Sequence, residues 1–382
     1  MKNIWLSKAE IMALPTSGAA WAKMVSVADG AAGDATLSNQ DSQANVQCLA
    51  AALVYARTGQ QKYLDRVLPA LTKVANGLPL IRALALGREL AAYVISADLI
   101  DLPAIDGQLD AKFSIEIRRL LTAKTTSGPA TLLACQDERP NNWGSHARAS
   151  ITAVGLYLGD TAIVDRSAKV FRGWLGDRAS YAGFKYGTLD WQADPSKPVG
   201  INPKGATKGG HSIDGGQPEE LRRPEKEPFV WPPSNKDQRM YTWEALQGAF
   251  LQAELLRRAG YSDVYEWCDQ ALLRAVKFAY ALNWPAGGDD TWQIWLVNAA
   301  YGTNYPVIPG AGSPGKNMAF TDWTHATPVI VKPPVDPPPP PPDPTPTPQP
   351  DVAAALATLN GMKTDLVNLL AKVQQAITAL GG

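Results

Sequence analysis

Three short stretches gather the side chains able to neutralise an acid and move a proton beside it. The first, Asn141-Asn142-Trp143-Gly144-Ser145-His146, holds two neutral amides, a large aromatic and one of only three histidines in the chain. The second runs His211-Ser212-Ile213-Asp214-Gly215-Gly216-Gln217-Pro218-Glu219-Glu220-Leu221-Arg222-Arg223 and adds an imidazole, an amide, carboxylates and guanidiniums. The third, Asp237-Gln238-Arg239-Met240-Tyr241-Thr242-Trp243, adds a guanidinium and a phenol. An amide and an arginine can hold a carboxylate, the arginine through two parallel hydrogen bonds. An imidazole, whose ordinary pKa is about 6.5, suits proton transfer at neutral pH.

These groups need elements to position them. Ala147, Ile151, Val154 and Leu158 follow the first stretch at helical spacing, which points one helix face at a core. A helix already running at Asn142 puts Asn142 and His146 one turn apart on a shared flank. Asparagine here also suits a helix cap, so Asn141 or Asn142 has a structural role in competition. Arg239 and Tyr241 are two residues apart and point nearly oppositely on a regular helix; both face one cleft only if Arg239 precedes the helix or lies in its first turn. Arg148 lies about 160° from His146 on an ideal helix and falls outside the set. Glu219 and Glu220 are expected as partners of Arg222 or Arg223, and His325, close to a proline run, as incidental.

Composition narrows the classes. The 382 residues carry 36 basic and 36 acidic side chains, which argues against a nucleic-acid binder acting through bulk charge. With 45% hydrophobic residues and 12 Trp, the chain can build a large core or offer indoles to sugar rings. Cys48, Cys135 and Cys268 are scattered and odd in number, giving no disulfide framework or metal spacing. Gly310-Ala311-Gly312-Ser313-Pro314-Gly315 matches a dinucleotide fingerprint only formally: it has no strand before it, no helix after it and a proline in the turn. Asp289-Asp290 reads as a helix cap in preference to a cation site. No cofactor, metal or membrane partner is expected; no apolar run approaches a membrane span.

Helix follows helix from about residue 43 to 123, with alanine abundant and glycine and asparagine as punctuation. Val46 to Val54 stops at Thr58-Gly59, Tyr63 to Val74 at Asn76-Gly77, and Leu80–Leu102 and Ala111–Leu121 follow. Ile151–Leu158 and Ala162–Leu175 form another pair. Residues 176–237 lose the period and read as a long loop that is either functional or disordered. Helices resume at about Met240 through Leu255 and from Asp263 to Leu282, and an aromatic piece spans Asp290–Tyr301. The expected organisation is a domain over 1–332, a polyproline spacer over 333–350 and a helix over 351–382. In that helix Val352, Leu359, Leu366, Val373 and Leu380 interleave with Ala355, Met362, Leu369 and Ala376 as a and d positions, which predicts a homo-oligomer through residues 351–382. The number of strands stays open, with a trimer preferred.

Asn-Asn-Trp-Gly-Ser, then Asp-Gly-Gly-Gln-Pro-Glu-Glu-Leu-Arg-Arg, then Arg-Met-Tyr opening a helix resembles the alginate lyase superfamily of polysaccharide lyases. The stretch Leu86-Gly87-Arg88-Glu89-Leu90-Ala91-Ala92-Tyr93, running on to Ala97-Asp98-Leu99-Ile100, is similar to that family too; the likeness covers roughly residues 40 to 300. It implies an all-α fold, an incomplete (α/α) toroid of helical hairpins around a cleft, and β-elimination on an anionic, uronate-containing polysaccharide. It also implies roles: Asn142 and Arg239 or Arg223 on the sugar carboxylate, Tyr241 as acid or as combined acid and base, and His146 or His211 as base. Asn141, Trp143, His211, Gln217 and Arg223 are the expected substrate contacts. Many relatives resemble Asn-Asn-His where this chain has Trp143, so the base stays open between His146, His211 and Tyr241.

Two rival classes remain. A glycoside hydrolase would use paired carboxylates such as Asp214 and Glu220. A non-catalytic carbohydrate-binding or virion structural protein would use the helical domain passively. The N-terminus lacks the apolar core of a signal peptide, and together with the heptad tail this predicts an extracellular or virion-associated protein reached without a cleaved leader, or an intracellular one.

Overall fold

The computed structural model describes residues 1–223, 228–326 and 352–380. The chain divides into two compact units, residues 1–330 and 331–382, while the expected linker over 333–350 lies outside the described residues. The first unit is all-α. Its described strands are one antiparallel pair, β1 (Thr207–Lys208) and β2 (His211–Ser212).

In chain order the helices are α1 (Lys8–Ala13), α2 (Ala19–Asp29), α3 (Ala44–Thr58), α4 (Gln61–Ala75), α5 (Ala83–Leu99), α6 (Leu102–Ile105), α7 (Gly107–Leu120) and α8 (Leu132–Glu138). Then come α9 (Asn142–Leu158), α10 (Thr161–Leu175), α11 (Pro218–Leu221), α12 (Lys236–Arg258), α13 (Trp267–Ala281), α14 (Trp292–Tyr301) and α15 (Thr321–Thr324). Gly59 ends α3 in the left-handed region at φ 67°, the conformation that favours glycine at a helix end. α1, α2 and α8 carry too short an apolar repeat to be read from sequence.

Neighbours follow a regular course. α3 packs on α4 and α5, α5 on α9, α9 on α10 and α12, and α12 on α13 and α14; α14 then meets α15, α15 meets α2 and α2 returns to α3. Helices α5 and α9 lie at the centre, and every residue of α5 is buried. A helix buried all round has no solvent face to fill with charge, so the polar residues it does carry need a specific reason.

Two glycines set how closely the central helices approach. A Cβ on Gly87 of α5 would lie 2.9 Å from the Ala147 nitrogen, and one on Gly248 of α12 would lie 2.4 Å from the Ser145 carbonyl carbon. Both crossings therefore bring backbone against backbone at residues 145–147 of α9. Nearby, the Ser150 hydroxyl enters the α5 ladder, donating to Gly87 O at 2.8 Å and accepting from Ala91 N at 3.0 Å. A side chain inserted this way opens the local i→i+4 bond and fixes the turn that carries Arg88.

The helix expected from Asp263 is interrupted. A short 3-10 turn at Val264–Glu266 precedes three left-handed residues, Cys268, Asp269 and Gln270, with φ of 54–58°. Such residues cost roughly 1–2 kcal/mol each. Arg274 braces them, donating to Cys268 O and Asp269 O at 2.9 Å and to Asp214 Oδ1 and Asn202 O at 2.7 Å.

In the second unit α16 (Val352–Leu380) is a helix, as the heptads predict. Met362, Leu366, Leu369 and Val373 of the two series stand exposed, as do Val367, Leu370 and Ile377. Among the described residues no helix is long and apolar enough to cross a membrane.

Candidate functional site

Asn142 is the first residue of α9, so it does share a flank with His146. Asn141 occupies the N-cap position in extended conformation, yet its side chain makes no capping bond. Glu220 of α11 supplies the cap instead: the Asn142 backbone N–H donates to its Oε1 at 2.6 Å across 78 residues. A carboxylate is well placed at the positive end of a helix, and the borrowed cap leaves both asparagine side chains unspent. Asn141 Oδ1 and Asn142 Oδ1 and Nδ2 are buried without a hydrogen-bond partner among the described residues. An unpaired buried amide costs about 1–3 kcal/mol, which is the mark of a group awaiting a ligand or water. The motif's glycine is required too, because a Cβ on Gly144 would lie 1.8 Å from Arg139 O.

One turn on, the His146 imidazole is fully buried and its Nε2 lies 2.8 Å from Glu244 Oε1. Arg88 Nη2 reaches the same oxygen at 2.6 Å. Burial alone would raise the Glu244 carboxyl, but the His146 hydrogen bond and the Arg88 charge bring it down to about 2. Burial pushes His146 below its ordinary value in spite of Glu244. The pair at neutral pH is thus an ionised carboxylate and a neutral imidazole, and Nε2 must carry the proton. Nδ1 is left bare, with no partner among the described residues.

The Glu220 carboxylate also links Asn142 to the phenol. Its Oε2 lies 3.6 Å from Arg223 Nε, and the Arg223 guanidinium lies 4.8 Å from the centre of the Tyr241 ring. Burial raises Glu220 to about 7 despite Arg223 and the Asn142 amide. Tyr241 and Glu244 are three residues apart on α12 and share one flank of it. Burial separates two layers. Asn142, His146, Glu220 and Glu244 are enclosed, whereas Tyr241, Arg223 and Trp143 reach the surface. Trp143 rests against Gly128, where a Cβ would come within 2.4 Å of the indole, and Arg139 stands 5.8 Å from its ring.

Several expectations need correction. Arg239, the fourth residue of α12, is exposed and donates to Pro285 O at 3.2 Å, two positions before Tyr241 and so on another side of the helix. His211 stacks on Trp231 at 5.0 Å, and among the described residues no hydrogen bond or ring contact joins it to Asn142 or Tyr241. Gln217 is buried and donates to Thr242 O at 3.2 Å, a strut between the α11 turn and α12. Asp214 pairs with Arg274 and Glu220 caps α9, so the carboxylates proposed for hydrolysis are engaged in different networks. Asp290 caps nothing: its Oδ1 accepts from Gln247 at 2.8 Å and Gln293 at 3.3 Å. His325 is a buried core residue, bonded to Thr324 Oγ1 at 2.7 Å and facing Trp5. Glu219 and Glu220 do pair with Arg222 and Arg223.

Sequence reading passed over Arg88 and Glu244. Arg88 lies in the stretch that carries the family likeness, and Glu244 follows Tyr241 by one turn; that spacing was the available signal for it. Around them Asn45 donates to Arg88 O at 3.3 Å and to Lys316 O at 2.9 Å, and Lys316 N donates to Gln247 Oε1 at 2.8 Å. Among the described residues no group of three or more His, Cys, Asp or Glu side chains is placed to hold a metal ion. No family model matches this chain, and no curated protein matches it.

Proposed function

We propose that the chain is a polysaccharide lyase that cuts a uronate-containing anionic polysaccharide by β-elimination. The observation that supports this most is the chain of contacts from the Asn142 backbone through Glu220 and Arg223 to the Tyr241 ring, which connects the residue bearing an unspent amide to a guanidinium and a phenol. In this reading Asn142 and Arg223 take the sugar carboxylate. Drawing charge into those donors stabilises the enolate-like state as the proton beside the carboxylate departs. Of the three candidate bases His211 is stacked on Trp231 and His146 spends its Nε2 on Glu244, so in this reading Tyr241 moves the proton: its oxygen takes a proton from the sugar carbon as its own hydroxyl proton passes to the departing glycosidic oxygen and the carbon–carbon double bond forms. His146, fixed by Glu244, holds the turn that presents Asn142. Trp143, beside this group, offers its ring to the sugar. The ring-like course of helical neighbours accords with the toroid that the sequence likeness implies.

The test is the ultraviolet absorbance of a conjugated unsaturated uronate, followed over a panel of uronate polysaccharides. Appearance of reducing ends without that absorbance would instead favour hydrolysis.

For the second unit we propose self-association of α16 through its exposed heptad face. Leu370 and Ile377 widen the a/d stripe into e positions, which favours more than two strands. An extracellular or virion-associated setting accords with such a tail.

A further inference from the structure

A cavity of about 300 Å³ is lined among others by Ser212, Asp214, Trp231, Arg274, Lys277 and Phe278, and its lining includes no residue of the group around Asn142 and Tyr241. That volume is at the lower end of small-ligand sites. One face of the Trp231 indole is covered by His211, whose ring lies parallel at 11°, and Phe278 meets it edge-on at 6.3 Å. The indole is thereby fixed as a flat apolar wall. The polar fringe is unequal in charge. Asp214 is cancelled by Arg274 at 2.7 Å, and its second oxygen accepts from Gly205 N at 2.9 Å. Arg274 is in turn spent on four oxygens. Lys277 is exposed and has no ion-pair partner among the described residues, so it is the charge left over. The Ser212 hydroxyl adds a donor and acceptor at the edge.

We infer that this cavity is a second binding site, for one acidic sugar residue, separate from the group around Asn142. The pyranose would lay its C–H face on Trp231, direct its carboxylate to Lys277 and share a hydroxyl with Ser212. An aromatic wall with one unspent cation recognises such a ring. The identification of the sugar as acidic rests on the lyase reading; the cavity, its wall and its free cation do not. Such a site would hold a long substrate chain on the enzyme while the catalytic group works elsewhere, raising effective concentration with no change in chemistry.

The experiment uses the full chain carrying Tyr241→Phe to prevent turnover. Saturated trimers of glucuronate, mannuronate, guluronate and galacturonate are titrated by calorimetry, with the methyl-esterified trimers as neutral controls. Two sites per chain are expected for at least one trimer. Trp231→Ala and Lys277→Gln should each weaken one of them about tenfold, the scale of one lost contact, and leave the other unchanged. Esterification should mimic Lys277→Gln. A single site that is lost in Asn142→Ala and indifferent to Trp231→Ala and Lys277→Gln overturns the inference and leaves the lyase reading standing. Failure of that reading alone would look different, with no turnover by the unsubstituted chain on any polymer and a Lys277-dependent site still titrating. Absence of all trimer binding overturns the second site as well. Trp231→Ala should also raise KM on polymer, but not on trimer, without altering kcat.

Discussion

His146 and Glu244, 98 residues apart in sequence, meet in a 2.8 Å hydrogen bond to a carboxylate oxygen that Arg88 also holds at 2.6 Å. One oxygen thus serves a neutral donor and a cation, and that shared acceptor dictates which imidazole nitrogen is protonated. Replacing Glu244 by Gln removes the charge and leaves the buried Arg88 only the exposed Asp41 carboxylate, 3.9 Å away. Breaking a buried pair from one side typically costs about 3–5 kcal/mol, so urea denaturation should show a loss of that order. The double substitution Arg88→Met with Glu244→Gln should recover part of it, because the two losses are not additive for groups in contact.

Turnover should depend on the phenol and the amide in different ways. Tyr241→Phe is expected to cut kcat at least about a hundredfold, the typical contribution of a positioned proton-transfer group, with oligosaccharide binding kept. Asn142→Ala should cost about 10²–10³ in kcat, as for other donors aimed at developing charge. Arg239→Ala should change neither. Initial rates on a uronate polymer, paired with calorimetry on a trimer, read all three.

Gly248→Ala tests the helix crossing. The added methyl would meet the Ser145 carbonyl carbon at 2.4 Å, and a backbone cannot yield as a side-chain tip does. Overpacking of this kind costs typically 1–3 kcal/mol. We expect a lower Tm and a larger fractional loss of kcat than Gly260→Ala gives, since Gly260 has open space around it but a left-handed φ of 100°.

The pH dependence of stability follows from three carboxyls that burial pushes up: Glu89 to about 9, Asp290 to about 8 and Glu220 to about 7. Each keeps its proton in the folded chain over a range where the unfolded chain has already released it. Folding is therefore opposed as pH rises from about 4.5 toward 9. Glu244 and Glu254, both brought down to about 2, act oppositely: the stability they contribute above their unfolded pKa is lost as pH falls toward 2. Tm should peak in mildly acidic buffer. Glu89→Gln, which cannot ionise, should flatten the alkaline limb, and the comparison is one of slopes from pH 5 to 9 in scanning calorimetry.

Removing residues 352–382 should reduce the particle mass seen by light scattering to that of a single chain. An unchanged mass would place the association in the first unit.

The helical class was legible because α3, α4, α9 and α10 repeat their apolar residues at helical spacing and end at Gly59, Asn76, Gly159 and Gly176. The kink at Cys268–Gln270 was not, since nothing in Trp-Cys-Asp-Gln marks a left-handed turn that Arg274 stabilises from outside. At the site, Asn142 and His146 were legible as neighbours one turn apart within one helix. Arg88 and Glu244 were hidden because the pairing that defines them crosses three helices. The Glu220 cap was hidden for the same reason: a local rule assigns the cap to Asn141, whereas the chain draws it from 78 residues away.

The two bare glycines have a consequence for how such a protein can change. With Gly87 and Gly248 pressed on the α9 backbone, the imidazole's place is set by main chain, which mutation alters least freely. On the lyase reading, new substrates would then be accommodated by residues that reach the surface, Trp143 and Arg223. A library confined to those positions should yield altered preference at little loss of folding, and one spread over α5 and α9 should yield mostly dead chains.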